Sequence, residues 1–378
     1  MDKKILIIAG EASADMHGSV LVSELKKLDP SIEVCGIGGD NMAEAGVEIF
    51  FHMREMAFMG FVEVVKHLPF IKKVKTKLLD EVKKRGISKV ILIDYPGFNL
   101  NISANLKKMG VDTIYYISPQ IWAWHQSRIK KIKKYINKML VVFPFEEKMY
   151  RDAGVDAEFV GHPLIERINN YNFLTREELY AKHNLDPDKE ILLVLPGSRT
   201  QEIERIFPEV IKAATKISAA HNMQTIVAHS QHIEDSMFDS FKGNYPFTLV
   251  KGNTYDLFKH AKFGIIKSGT STLETGLFGL PFIVVYRTSW LTFEMGKRLV
   301  KVNNIAMANI IAGETIVDEL IQDDVNVENI TNKVGAILED KNRYDEIKKR
   351  LADLRNKLGG PGASALAAKI IYNRFNEN

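Results

Sequence analysis

The stretch EILLVLPGSRTQEIE (190–204) decides how the chain is read. It opens on an apolar run without polar alternation, as expected for a parallel strand covered on both faces. Pro196-Gly197 then turns the chain, Ser198 and Arg199 follow, and a charged, helix-like pattern begins at once. A strand ending this way delivers a small hydroxyl and a guanidinium to the mouth of a helix. Unpaired backbone N–H groups, the positive end of the helix dipole and a forked cation then meet at one place, which suits a phosphate or diphosphate. Ser198-x-x-Gln201 also has the spacing of a capping box. That alternative accounts for Ser198 but leaves Arg199 unexplained, because a cation is locally unfavourable at a helix N-terminus.

The same strand-then-helix pattern recurs along the chain. Continuous β-branched runs lie at 3–10 (KKILIIAG), 89–95 (KVILIDY), 113–118 (TIYYIS) and 138–143 (KMLVVF). The second series is 190–197 (EILLVLPG), 224–230 (QTIVAHS), 263–269 (FGIIKSG) and 281–287 (PFIVVYR). Gly86, Gly110 and Gly154 follow helical stretches, where a helix stop is expected. The fold class is therefore α/β, with two doubly wound, Rossmann-like domains facing a cleft. A polar stretch with two prolines separates the two series. The expected division is an N-terminal domain over 1–165 plus about 345–378, a linker over 166–185, and a C-terminal domain over 186–344.

Composition supports this class. The 378 residues exceed one typical core, and 46% hydrophobic with 26% charged residues suits a globular chain. No window approaches the ~18 consecutive apolar residues that a membrane span needs. The first apolar run, ILIIAG, is too short for a signal-peptide core and reads as a first strand. Cys35 is the single cysteine, so an internal disulfide is excluded, in keeping with a reducing cytosol. The net charge is only +4, yet much of the excess is clustered at 66–85 and 128–138. Phosphate-bearing metabolites, anionic lipid and nucleic acid all suit such patches, and so does a plain solvated helix face.

In doubly wound sheets ligands bind where strands end, so those junctions hold the candidates. KSGTSTLETGLFGLP (267–281) places Gly269 after a strand, and Thr270, Ser271 and Thr272 at the opening of a helix. Glu274 lies one turn in, on the face of Thr270 and Ser271. Hydroxyls and amides there can hold an anion, and the deeper carboxylate can accept the hydroxyls of a ribose. Ser271-x-x-Glu274 is also a possible capping box. Two such junctions in one half suggest a nucleotide diphosphate bound across neighbouring loops. In the first half a buried strand ends in Asp94, followed by the turn Pro96-Gly97. Such a carboxylate is either a general base for an attacking hydroxyl or a turn aspartate. Glu11 and Ser13 occupy another strand-to-helix junction, AGEASAD (9–15). No GxGxxG, GxxxxGK[ST] or GxSxG occurs, which speaks against dinucleotide, P-loop and serine-hydrolase readings. His229 and His232 lack companions for a metal set, and Asp186-Pro187-Asp188 reads as a turn.

One further segment, 54–75, sets Met59, Phe61, Val62, Val65, Leu68, Phe70 and Ile71 beside a lysine cluster. Apolar residues next to cations suit a surface that meets acyl chains and anionic head groups. An ordinary helix buried on one face gives the same pattern.

With these residues in place, the chain resembles the lipid-A-disaccharide synthases, inverting glycosyltransferases of the two-Rossmann-domain (GT-B) type. The resemblance rests on AGEASAD (9–15), MGFVEVV (59–65), IDYPGFN (93–99), YISPQIWAWHQSRIKKI (116–132) and FPFEE (143–147). It continues through FVGHP (159–163), LPGSRTQEIE (195–204), SGTSTLE (268–274), YR (286–287) and MANIIAG (307–313). It implies transfer from UDP-2,3-diacylglucosamine to 2,3-diacylglucosamine 1-phosphate (lipid X), with UDP released. The catalytic Asp of the family matches Asp94 and its essential Arg matches Arg199. The nucleotide-site residues match Ser268, Gly269, Thr270 and Glu274, and a late polar Asn matches Asn309. The resemblance also implies a C-terminal helix that returns to the first domain. It implies no cofactor or metal, no nucleic-acid partner, and a peripheral place on the cytoplasmic face of a Gram-negative inner membrane. Two departures stand out. Ala14 replaces the second Gly of the first motif, and Gly97 stands where many relatives carry a second acid. The rival readings are a UDP-N-acetylglucosamine 2-epimerase-like enzyme, and a non-catalytic basic module binding RNA or lipid. Oligomeric state is left open.

Overall fold

The computed structural model describes residues 3–56, 67–122, 126–230, 233–290, 293–294 and 304–375. The chain divides into two units, residues 1–166 with 358–378, and residues 167–357. The first is built on a parallel sheet of seven strands among the described residues. They are β1 (Lys4–Ala9), β2 (Glu33–Gly38), β3 (Glu48–His52), β4 (Lys89–Ile93), β5 (Asp112–Tyr116), β6 (Lys138–Val141) and β7 (Ala157–Phe159), in the order β3-β2-β1-β4-β5-β6-β7. The second unit holds β8 (Glu190–Leu195), β9 (Met223–His229), β10 (Thr248–Lys251), β11 (Phe263–Lys267), β12 (Phe282–Tyr286) and β13 (Glu319–Ile321). Their order is β10-β9-β8-β11-β12-β13, all parallel. Both orders reverse beside the first strand of their sheet, between β1 and β4 and between β8 and β11. That switch point is where an open α/β sheet leaves a crevice at the strand ends.

The central strands explain why the fold forms. Ile5 through Ala9 and Val90 through Ile93 are fully buried, as are Ile191 through Val194. Each Val, Leu or Ile side chain among them contributes roughly 1.5–3 kcal/mol by leaving water. Helices on both faces complete the burial and end on expected stops. Gly86, for example, adopts the left-handed conformation (φ 64°) that closes the helix Leu68–Arg85.

Two expected boundaries differ. Residues 166–185 form no free linker, because all but the first belong to the second unit. Tyr171 donates to the buried Asp256 (2.8 Å), as does the Leu174 N–H (2.8 Å), and the helix Arg176–His183 starts on a capping box of Thr175 and Glu178. The helix Lys341–Lys357 also stays with the second unit. It buries Ile347, Leu351 and Leu354, pairs Arg350 with Glu314 at 2.7 Å, and donates from Lys357 to the Ala312 carbonyl. Only the last helix, Ala363–Asn373, returns to the first unit, where it packs on the helix Ala12–Leu28. Arg374 with Asp112 (2.8 Å) and Ser364 with Glu166 (2.7 Å) fasten it.

Candidate active site

In the first unit the site is organised by a strained elbow. β4 leads directly into Asp94 (φ 42°) and Tyr95 (φ 45°), two successive non-glycine residues in the left-handed region. That conformation costs roughly 1–2 kcal/mol per residue and persists only where its surroundings fix it. Here they do. The Asp94 N–H donates to the Tyr116 carbonyl at 3.3 Å, and the Asp94 carbonyl accepts from Asn99 Nδ2 (2.7 Å) and from the Tyr115 hydroxyl. The Tyr95 ring covers Gly10 so closely that a Cβ there would come within 2.5 Å of it. The Tyr95 hydroxyl donates to the Met56 carbonyl at 3.1 Å. Pro96 then starts the helix Pro96–Lys108.

Burial of the Asp94 carboxyl pushes its pKa up to about 6, with the negative charge of Glu11 adding to the shift and the Tyr95 N–H opposing it. A carboxylate in this range is ionised at neutral pH yet basic enough to take a proton in a transition state. Glu11 is the exposed N-cap residue of the helix Ala12–Leu28 and makes no capping bond. Ser13 is exposed in its first turn. Ala14 is the third residue of that helix, where alanine is at ease, so its departure from glycine is accommodated. Gly97 is exposed with open space around it.

In the second unit, Gly197 (φ 128°) turns the chain after β8, and Ser198 and Arg199 are exposed. Arg199 is the N-cap residue of the helix Thr200–Ala220, and no side chain caps that helix. The Ser198–Gln201 box is therefore absent. Instead the Glu202 carboxylate folds back, accepting from the Ser198 N–H (3.3 Å) and from Lys267 Nζ (2.7 Å), with Arg199 at 3.6 Å. At the second junction Gly269 starts the helix Thr270–Leu277, again without a side-chain cap. Ser271 donates to the Lys267 carbonyl (3.1 Å) and Ser268 to the Ile305 carbonyl (3.0 Å). The Ser271–Glu274 box is absent too. Glu274 accepts from the Tyr255 hydroxyl at 3.0 Å, and its burial raises its pKa. Ser198, Lys267, Ser268, Gly269, Thr270 and Ser271 line one cavity of about 310 Å³. Arg199 and Glu274 are not among its lining residues.

Asn309 is placed differently from its expected nucleotide role. It is fully buried, and its amide is used up inside its own unit. Nδ2 donates to the Val317 carbonyl and to Glu319 (2.9 and 2.8 Å), while Oδ1 accepts from the Ile316 and Val317 N–H groups (2.8 and 3.0 Å). No hydrogen-bonding capacity is left for a ligand. Asn309→Ala is expected to lower stability by about 3 kcal/mol, through the buried groups it strands, with UDP affinity of the folded protein unchanged. Urea unfolding beside calorimetric titration with UDP checks this.

Of the apolar membrane candidates, Met59, Phe61, Val62 and Val65 lie outside the described residues. Leu68 is exposed. Phe70 and Ile71 point the other way, packing against the core, with Phe70 edge-on to Phe51 at 6.2 Å. They continue the inward stripe of Val74, Leu78 and Val82 at helical spacing, so that part of the lipid-contact expectation is corrected.

Sequence reasoning missed several residues. Tyr95, Asn99 and Tyr115 build the elbow, and Lys267 and Glu202 face each other at the second-unit junctions. Glu146 is a buried acid pushed up to about 7 by its burial. It accepts from Ser118 (2.7 Å), Trp122 (3.1 Å) and the Phe143 N–H (3.3 Å), which ties the ends of β5 and β6 together. Asp186 accepts from the Asp188 N–H (3.0 Å), as a turn does.

The comparison with known proteins decides the family. Residues 5–372 match the family model described as Lipid-A-disaccharide synthetase. The chain belongs to the lipid-A-disaccharide synthase family. The lipid-A-disaccharide synthase of Trichlorobacter lovleyi is 38% identical over 379 residues, covering 100% of this chain and 98% of the relative. Among solved structures, the UDP-GlcNAc 2-epimerase from Neisseria meningitidis, bound to UDP-GlcNAc, superposes with a TM-score of 0.68. It is 12% identical and covers 99% of this chain and 100% of that one. The glycosyltransferase of kitacinnamycin gives a TM-score of 0.64 at 14% identity, covering 99% of each chain. Both show the two-domain GT-B fold, and at such identity they speak for the fold alone. The synthase family is named for making the lipid A disaccharide, so its substrates are lipid A precursors. Among the described residues, no helix is long and apolar enough to cross a membrane.

Proposed function

We propose that the protein joins UDP-2,3-diacylglucosamine to 2,3-diacylglucosamine 1-phosphate, giving a β-1,6-linked tetraacyl disaccharide 1-phosphate and UDP. The observation that carries the chemistry is the Asp94 carboxyl, held on its elbow with a pKa near 6. Asp94 takes the proton of the acceptor's 6-hydroxyl. The freed oxygen attacks the anomeric carbon of the donor, the bond to the diphosphate oxygen breaks, and UDP leaves with the electron pair. With the acceptor oxygen as the attacking group and Asp94 as its base, this is a single displacement with inversion.

Charge grows on the leaving diphosphate during that step. Arg199 and the uncapped starts of the helices Thr200–Ala220 and Thr270–Leu277 offset it, and they gain most in the transition state. Ser198, Ser268, Gly269, Thr270 and Ser271 hold the phosphates. Glu274, one oxygen bound by Tyr255, offers the other to the ribose. Burial keeps Asp94 basic, and the charge of Glu11 adds to it. The lysine-rich helices Leu68–Arg85 and Ile129–Tyr135, with exposed Leu68, suit a peripheral seat on an anionic membrane surface.

One experiment tests both parts. Anionic vesicles carrying donor and acceptor are incubated with the protein, sedimented, and analysed by mass spectrometry. The expected result is the tetraacyl disaccharide 1-phosphate with stoichiometric UDP, and protein in the pellet at low salt but not at high salt. UDP released without acceptor would refute the transfer, and protein left in the supernatant at low salt would refute the membrane seat.

A further inference from the structure

Lys267 is the last residue of β11, and its side chain, 16% exposed, reaches the wall of the cavity that Ser198 and Ser268 through Ser271 also line. Its backbone is pinned by the Ser271 hydroxyl (3.1 Å). Among the described residues its ammonium has one hydrogen-bond partner, the Glu202 carboxylate at 2.7 Å. Glu202 in turn faces Arg199 at 3.6 Å and accepts from the Ser198 N–H. A carboxylate thus sits against the start of the helix Thr200–Ala220, where backbone N–H groups and two cations converge. The three side chains leave one net positive charge there, with two uncapped helix starts beside it.

We propose that Lys267 is the fixed cation for the diphosphate of the donor nucleotide, and that Glu202 is the positioning residue that holds Lys267 and Arg199 ready for it. The inference rests on the functional reading above and deepens it. An unbound diphosphate site full of cations is self-repelling, and long basic side chains would scatter into solvent. One internal carboxylate keeps them converged. Lys267 has two further ammonium hydrogens for phosphate oxygens, so it can serve the ligand without leaving Glu202. The arrangement also sets a limit. Glu202 lowers the charge the product meets, so it weakens the grip on UDP while ordering the groups that stabilise its departure.

Calorimetric titration of the full chain with UDP and with uridine tests this. Lys267→Met is expected to weaken UDP roughly tenfold to a hundredfold, the loss of a charge-assisted contact, and to leave uridine unchanged. Lys267→Arg restores most of the UDP affinity. Glu202→Gln tightens UDP, because a negative charge is gone, while kcat falls because Lys267 and Arg199 are no longer held. A role confined to folding cannot move those two quantities in opposite directions. Wild-type UDP affinity in Lys267→Met, or an equal loss of UDP and uridine, would overturn the role of Lys267. UDP affinity and kcat falling together in Glu202→Gln would overturn the positioning role. Failure of the wild-type protein to bind UDP at all would instead sink the functional reading, and this inference with it.

Discussion

Asp94→Asn is expected to lower kcat roughly a thousandfold or more, the scale of losing a general base, while UDP affinity is retained. The amide keeps the shape of the side chain and tolerates the left-handed backbone at φ 42° at least as well as aspartate. The variant therefore folds, and stability shows it. Asp94 has a pKa near 6 in the folded protein, against about 3.9 in an unfolded chain. The folded state binds the extra proton, so its stability is greatest below about pH 4 with respect to this group. It falls by up to about 3 kcal/mol as pH rises to about 6 and beyond. Asn removes that dependence, and the variant should melt at or above the wild-type temperature at pH 7.5. Activity runs the opposite way. Wild-type kcat/KM should drop tenfold per pH unit below about 6 and level off above it. A stable, UDP-binding, inactive variant marks a catalytic group. Lost UDP affinity would make Asp94 a ligand contact, and a lower melting temperature would make it a structural one.

Arg199→Ala is the second large effect, about a hundredfold or more in kcat, by analogy with the removal of one oxyanion donor. Its guanidinium is 64% exposed and its ionic partner Glu202 lies at 3.6 Å, so stability should stay within about 0.5 kcal/mol. Steady-state rates and thermal melts on one preparation separate the two quantities. A lysine at this position keeps the charge but loses the fork, and should recover only part of the rate. A near-normal rate in the alanine variant would remove Arg199 from the mechanism.

The sequence revealed most where burial is two-sided. β1, β4, β5, β6, β8, β9, β11 and β12 are continuous apolar runs, and each is a strand. The missed strands are broken by glycine, lie outward or are short. β2 carries two glycines, β3 is mostly half-buried, β10 has four residues, and β7 and β13 have three each. Periodicity also shows that Lys341–Lys357 buries a face, but not which unit receives it. The ends of β4, β8 and β11 were legible as candidate junctions, because a doubly wound sheet opens its crevice at strand ends. Capping boxes were not, since spacing alone cannot tell a capping serine from Glu202 reaching back. Lys267 and Glu202 lie 65 residues apart, and neither charge looks unusual until the strands align. Asn309 matched a family position, yet its partners at Val317 and Glu319 depend on a loop conformation that no motif encodes.

The proposed chemistry reduces to a single displacement in which Asp94 activates an incoming sugar hydroxyl as UDP leaves. Its most direct test is the configuration at the transferred carbon. An α-linked donor carrying ¹³C at the anomeric position is turned over once with excess acceptor, and the one-bond coupling of the product is read by NMR. A single displacement gives a β-glycoside, with no labelled sugar attached to the protein at any time. An α-linked product, or label retained on the chain, would contradict it.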